Sequence, residues 1–312
     1  MAVEKTEERL NSTDGSNELH FVTWRDNAIV PKAVLQISHG MCEYILRYDE
    51  FASFLAENGY VVCGNDHLGH GESVRSREDL GYIAPKDGYK YLVKDLRQVT
   101  ELMHERYPGL PLAMLGHSMG SFVARLYAST YKEGVDAYIY EGTDGSNPAG
   151  KLAGVFIDLM KLFKGERYRS PLVTKISFGS YTKRIPDAVT GFEWVTSDRE
   201  KYEQYINDPL CMFTFTLSAY RDLTDCLNAV LERSWAQGLR KDLPYMLVSG
   251  EDDPVGDYGQ GVKFVYDMMV DAGCNNCIMK LYPGQRHELH NETGRAQFYK
   301  DTLEWLNSSL GV

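Results

Sequence analysis

Leu115-Gly-His-Ser-Met-Gly120 sets a serine between two glycines, each two residues away, the G-x-S-x-G spacing of a nucleophile held on a tight turn. In a chain with 28 glycines the bare pattern is weak. Its setting strengthens it, because an apolar strand-like run, Leu112 to Leu115, precedes it and a helical pattern, Ser121 to Tyr127, follows. A sharp strand-to-helix turn strains the serine backbone and brings its second neighbours together. Glycine at 116 and 120 removes the Cβ atoms that would collide there. The helix onset also points its positive dipole end at the reacting group. Ser118 is therefore the candidate nucleophile.

A serine hydroxyl attacks well only when a base takes its proton. The last strand-like run ends in Tyr282-Pro-Gly-Gln-Arg-His287, which puts His287 in a loop able to fold back over a sheet edge. His290, three residues on, is the competitor. His287-Glu-Leu-His290 also falls one residue short of the H-E-x-x-H zinc motif, because Asn291 stands where its second histidine would be. The base needs an acid to orient it. Glu251, Asp252 and Asp253 follow the strand-like Tyr245 to Ser249, and any of them serves by type. Pro254 biases Asp253 to extended geometry, which favours it over Asp252. Backbone N–H groups of Met119, directly after the serine, and Met41, in the loop His39-Gly-Met-Cys-Glu-Tyr44, are the candidate oxyanion donors. His39 itself reads as structural.

Two other clusters invite metal chemistry. Asp66, His67 and His70 crowd one loop, Asn65 to Ser73, but no further spaced ligands accompany them, so a hydrogen-bonded loop beneath the site is the preferred reading. Cys274-Asn-Asn-Cys277 is a lone C-x-x-C without the second pair that zinc requires. Neither a metal nor a cofactor is expected.

The elements that must position these residues alternate. Short apolar runs at Glu18–Trp24, Ala33–Ser38, Tyr60–Gly64, Leu112–Leu115 and Val135–Tyr140 read as strands, the first as a half-exposed edge. Tyr48 to Asn58 and Gly88 to Tyr107 read as helices between them. The rhythm stops after Thr143 and gives way to helical, aromatic stretches at Leu152–Phe163, Tyr202–Tyr220 and Leu223–Trp235. It resumes with a strand at Tyr245–Ser249, a helix at Gly259–Ala272, a strand at Cys277–Tyr282 and a closing helix at Arg295–Leu310. The pattern predicts a mostly parallel α/β sheet interrupted by one helical insertion. The 312 residues suffice for a large core, and a formal charge of -11 argues against nucleic-acid partners. The polar N-terminus lacks the apolar stretch of a signal peptide, and no run of about 18 apolar residues occurs, so a cytoplasmic protein is expected.

Together these segments carry a family resemblance. His39-Gly-Met-Cys-Glu-Tyr44 with Arg47-Tyr48, Asp66-His-Leu-Gly-His-Gly-Glu-Ser73, Gly116-His-Ser-Met-Gly120, Gly250-Glu-Asp-Asp-Pro-Val255 and Tyr282-Pro-Gly-Gln-Arg-His287 occur in family order. The chain resembles the monoacylglycerol lipase and lysophospholipase-like group of α/β-hydrolases, which includes sequences labelled serine aminopeptidases. The resemblance implies an α/β-hydrolase fold, a Ser118, Asp253 and His287 triad, and Met41 and Met119 as oxyanion donors. It also implies that residues 146–240 form a helical cap on a core of residues 1–145 and 241–312. Met41 departs from the small residue common at its position, which keeps the backbone donor and narrows the nearby pocket.

The implied activity is hydrolysis of carboxylic esters through an acyl-enzyme, with a small ester or a lipid monoester (a monoacylglycerol or a lysophospholipid) as substrate. The apolar segment Leu152 to Phe163 reads as a packed cap helix, or as an acyl channel or surface that touches lipid aggregates. Phe192, Trp194, Phe213, Phe215 and Tyr220 are candidates for the cavity lining. A peptidase of the aminopeptidase type, an acyltransferase and a non-catalytic binding protein on the same fold are the competing readings.

Overall fold

A computed structural model describes residues 3–145, 150–186 and 188–312. Its strands are β1 (Glu4–Asn11), β2 (Glu18–Arg25), β3 (Ala33–Ser38), β4 (Tyr60–Asn65), β5 (Leu112–His117), β6 (Ala137–Glu141), β7 (Tyr245–Gly250) and β8 (Cys277–Tyr282). They form one 8-stranded sheet in the order β1-β2-β4-β3-β5-β6-β7-β8. β1 and β2 run antiparallel to their neighbours, and every pairing from β4 to β8 is parallel.

Alternate residues of the central strands face opposite ways, as the two-residue period of a strand demands. Val34, Cys63 and Met114 point to one face, under helices α2 (Gly88–Arg106), α3 (Met119–Thr130) and α9 (Gln260–Asp271). Leu35, Val62 and Leu115 point to the other, under α1 (Asp49–Glu57) and α10 (Arg295–Leu310). Each such side chain contributes roughly 1.5–3 kcal/mol on burial, which is why continuous apolar runs become central parallel strands.

The chain leaves β3 for β4 on one side and returns to β5 on the other. β3 and β5 are thus neighbours whose outgoing loops diverge, and a crevice opens at their carboxyl ends. Both the G-x-S-x-G turn and the His39–Tyr44 loop leave the sheet at that point.

Two expectations need correction. Glu18–Trp24 is not an edge, because the polar segment Glu4–Asn11 pairs along its whole length and takes that place. Hydrophobic periodicity cannot reveal a strand this exposed, although its charges suit an edge that must not pair with other chains. Tyr202–Tyr220 is not one helical stretch either. Asp208 is held extended before Pro209, so α6 (Arg199–Asn207) ends there, and α7 (Leu217–Leu231) starts afresh with Thr216 as its N-terminal cap.

Between β6 and β7 lie α4 (Gly150–Lys164), α5 (Pro171–Phe178), α6, α7 and α8 (Arg233–Gly238). The expected boundary at residue 146 lies outside the described residues. All six cysteines are buried and unpaired, and Cys274 and Cys277 flank the turn from α9 into β8. No helix among the described residues is long and apolar enough to cross a membrane.

This helical segment caps a core helix. Asp87, before α2, has φ 56 and offers no side-chain acceptor to the helix start. Asp222 of α7 does so instead, accepting the Gly88 N–H at 2.7 Å. A Cβ at residue 88 would stand 2.4 Å from Asp222 Oδ2 and would push that carboxylate aside. Burial pushes the Asp222 carboxyl up from 3.8 to about 7, against the pull of its backbone donors. The folded state therefore binds this proton more tightly than the unfolded chain does. Its stability falls as pH rises from about 4 to about 7. Asparagine keeps the acceptor and removes the charge. Asp222→Asn is expected to melt above the native chain at pH 8, with the gap closing near pH 4. An equal or lower Tm at pH 8 contradicts this account.

Candidate active site

β5 ends at His117, and α3 begins at Met119, so Ser118 makes the whole turn with φ 52 and ψ -121. An L-residue adopts that conformation only when its surroundings impose it. The glycines show how. A Cβ on Gly116 would stand 2.5 Å from the Gly120 carbonyl oxygen, and one on Gly120 would stand 2.0 Å from the Ser38 oxygen. The first turn of α3 therefore rests directly on the backbone leaving β3. Met119 opens α3, and its N–H has no acceptor within the helix.

The His39–Tyr44 loop lies beside this turn. A Cβ on Gly40 would meet Ser118 Cβ at 3.1 Å. His39 accepts the His67 N–H on Nε2 at 2.8 Å and donates from Nδ1 to the Gly40 oxygen at 2.8 Å, a neutral, structural imidazole. Burial, with His67 and His70 adjacent, keeps its pKa well below the usual value. Asp66 is equally committed, accepting from Ile45 N at 2.7 Å and Glu72 N at 2.8 Å and contacting His20 Nδ1 at 2.9 Å. The Asn65–Ser73 segment is thus a hydrogen-bonded loop under the site.

At the far side of the crevice the Asp253 and His287 loops interlock. A Cβ on Gly250 would stand 2.0 Å from the Gln285 oxygen, so the end of β7 touches the loop after β8. Asp253 is fully buried, while Glu251 and Asp252 face outward. Asp253 Oδ2 lies 2.9 Å from His287 Nδ1 and accepts the Ser249 hydroxyl at 3.0 Å, and Oδ1 accepts the Val255 N–H at 2.9 Å. Burial alone would lower the His287 pKa, but the Asp253 charge and hydrogen bond outweigh it and raise it above 6.5. His290 points elsewhere, with Nδ1 3.0 Å from Glu141 Oε1 and its ring stacked on Tyr48.

Beneath these groups lies a buried charge network that residue spacing does not reveal. Arg47 makes a two-pronged ion pair with Glu288 at 2.5 and 2.6 Å and reaches Glu43 at 3.3 Å. Glu43 also accepts the Gly40 N–H and the Tyr48 hydroxyl. Burial and the nearby Glu288 push its carboxyl up to about 7, against the pull of Arg47. Only the motif His39-Gly-Met-Cys-Glu-Tyr44 with Arg47-Tyr48 marks two of its members in advance. Glu141 carries no such mark, because buried carboxylates have no periodic signature. His117, Glu141 and His290 bring ligand-type atoms within 4.8 Å of one another, although His290 and Glu141 already bond each other.

Ser118, His287, Met41 and Met119 all line one cavity of about 500 Å³ between the strand ends and the helical segment. Its wall includes Phe192, Trp194, Phe213 and Tyr220. Phe215, expected among them, is instead fully buried behind, edge-on to His70. The cavity is concave, with aromatic and aliphatic side chains beside polar ones, and has a nucleophile type and a paired imidazole at its floor.

Residues 30–294 match the family described as serine aminopeptidase, S33. The monoglyceride lipase of Rattus norvegicus is 27% identical over 277 residues, spanning 86% of this chain and 79% of that protein. A monoglyceride lipase homolog of Monkeypox virus is 28% identical over 286 residues, spanning 88% and 90% of the two chains. Among solved structures, a thermostable carboxyl esterase from Bacillus coagulans in complex with glycerol superposes with a TM-score of 0.90 at 29% identity, over 99% of each chain. A soluble variant of the Saccharomyces cerevisiae monoglyceride lipase superposes at 0.76 with 20% identity, covering 99% of this chain and 95% of that one, and speaks to the fold. On this match and this architecture, the chain belongs to the serine aminopeptidase S33 family of α/β-hydrolases.

Proposed function

We propose that this hydrolase cleaves carboxylic esters, of the lipid monoester class, through an acyl-enzyme on Ser118. The observation that carries the reading is the Asp253–His287 pair, 2.9 Å apart and buried, with His287 lining the same cavity as the strained Ser118 turn. His287 Nε2 removes the Ser118 proton as Oγ attacks the ester carbon, while Asp253 holds Nδ1–H and stabilises the imidazolium. The Met41 and Met119 N–H groups receive the oxyanion. His287 then protonates the departing alcohol, and a water repeats the sequence to release the acid. No metal or cofactor enters these steps.

Residues 146–240 act in this reading as the cap that closes the cavity over a core of residues 1–145 and 241–312. The relatives named monoglyceride lipases favour an ester with one acyl chain, and the apolar wall at Trp194, Phe213 and Leu227 suits it. Leu152, Val155, Leu159, Leu162 and Phe163 fall at steps of three and four along α4 and form one exposed stripe, with Leu162 83% and Phe163 79% exposed. Such a stripe suits transient contact with a lipid surface that presents the substrate. Unpaired buried thiols suit a reducing, cytoplasmic setting.

A panel of p-nitrophenyl esters, monoacylglycerols, lysophospholipids and an aminoacyl naphthylamide tests the class. The expected result is ester turnover abolished by Ser118→Ala, with a Leu159→Glu, Phe163→Glu variant impaired on vesicle-borne monoacylglycerol and unimpaired on a soluble ester. Cleavage of the naphthylamide alone would establish a peptidase instead.

The pH profile tests the base. His287 must be neutral to accept the proton, and its pKa is raised by Asp253, so kcat/KM should climb with pH through a midpoint above 6.5. Asp253→Asn should move that midpoint down and lower kcat on the order of 10⁴-fold. An unmoved midpoint contradicts the pairing.

A further inference from the structure

The His39–Tyr44 loop is gripped from two sides. From the core, His39 donates to the Gly40 oxygen at 2.8 Å, and that oxygen shares one planar peptide unit with the Met41 N–H. Glu43 accepts the Tyr48 hydroxyl at 3.0 Å, and Ile45, just past the loop, donates its N–H to Asp66 at 2.7 Å. Core contacts leave Cys42 and Tyr44 to be held by something else. Cys42 has φ 56, a left-handed conformation that strains a residue carrying a Cβ. Such strain persists only where the surroundings over-determine it.

The second grip comes from the linker between α6 and α7, residues 208–216. Cys42 Sγ donates to the Phe213 main-chain oxygen at 3.3 Å, and the Tyr44 hydroxyl donates to Asp208 Oδ2 at 2.7 Å. Burial and the Asp208 carboxylate raise the Tyr44 pKa, so the phenol keeps the proton it donates. A hydrogen bond to a charged acceptor is also the stronger kind. The linker can anchor the loop because it is itself fixed. Asp208 Oδ1 accepts the Leu210 N–H at 2.8 Å, and its main-chain oxygen accepts the Cys211 and Met212 N–H groups at 2.9 and 3.0 Å. At the other end the Thr216 N–H and hydroxyl both reach the Gly81 oxygen at 2.9 Å.

We infer that Tyr44 and Asp208 are positioning residues through which the helical segment, helped by the Cys42–Phe213 bond, fixes the Met41 N–H for the oxyanion. The inference rests on the ester-hydrolase reading above. Met119 is placed by the nucleophile turn, whereas Met41 is placed by core and helical segment together. Phe213 also lines the cavity, so the wall that faces the acyl group is the wall that steadies the donor.

The test uses the full chain with p-nitrophenyl butyrate and p-nitrophenyl acetate, and a trifluoromethyl ketone as oxyanion probe. Tyr44→Phe removes one oxygen and keeps the ring. It is expected to lower kcat roughly threefold to thirtyfold, less than the 10²–10³ of deleting an oxyanion donor outright. KM should stay within about twofold, and ketone affinity should fall in proportion to kcat/KM. The loss should be as large on the acetate, whose short acyl group gives the cavity wall little to hold. The acid limb of the pH profile, set by His287 and Asp253, should not move. Asp208→Asn keeps an oxygen for Leu210 and offers an amide to Tyr44, so its kcat should stay close to that of the wild type. Wild-type kcat and ketone affinity in Tyr44→Phe overturn the inference, as does a loss on the butyrate that vanishes on the acetate. A wild-type chain whose ester hydrolysis survives Ser118→Ala, or never occurs, overturns it together with the ester-hydrolase reading.

Discussion

A methyl group on Gly120 would stand 2.0 Å from the Ser38 oxygen and 2.4 Å from the His39 oxygen, closer than any packed structure tolerates. The rest of the site depends on that contact. It seats the first turn of α3 on the backbone leaving β3, and the seating forces Ser118 to φ 52. The same approach brings the His39–Tyr44 loop alongside, so that Gly40 lies against Ser118 Cβ. A parallel sheet supplies the geometry at little extra cost. β3 and β5 are adjacent and in register, Ser38 opposite Gly116, where their connections diverge.

Charge is then distributed around this frame by burial and pairing. His287 and His290 each face a buried carboxylate, and their pKa values rise, while His117 between them is held well below its usual value by burial and by those two rings. The His117 ring centroid lies 4.6 Å from that of His287 and 5.1 Å from that of His290, yet its pKa moves the opposite way from both. Separating the pKa values of neighbouring groups in this way assigns acid and base roles within one fold. Arg47 and Glu288 fix the loop that carries His287 from below. The segment at Trp194 and Val195 fixes it from above, through hydrogen bonds to the His287 and Glu288 N–H groups.

Legibility in the sequence follows the same physics. Ala33–Ser38 and Cys277–Tyr282 are read to the residue because each is a short apolar run bounded by turn residues, and Arg295–Leu310 because its apolar spacing is uninterrupted. Glu4–Asn11 escapes notice, since an edge strand exposed on both faces buries too little to leave a pattern. The Ser118 turn is legible because its glycines are a steric necessity, and Pro254 marks Asp253, which is buried where Asp252 is exposed. Glu141 and Glu288 are not legible. Their partners lie on other elements, and only the fold brings them together. The helical segment is legible as helix but not in its packing, so Phe215 turns out to lie behind the cavity wall rather than in it.

The central claim is that Ser118 carries the acyl group between the two half-reactions. Intact-mass spectrometry of the chain quenched in acid during turnover of a slowly deacylating p-nitrophenyl ester tests it most directly. The account predicts one added acyl mass per chain, located by peptide mapping on the segment containing Ser118 and absent in Ser118→Ala. Steady turnover of the ester with no such adduct, or with the acyl group on another residue, would contradict it.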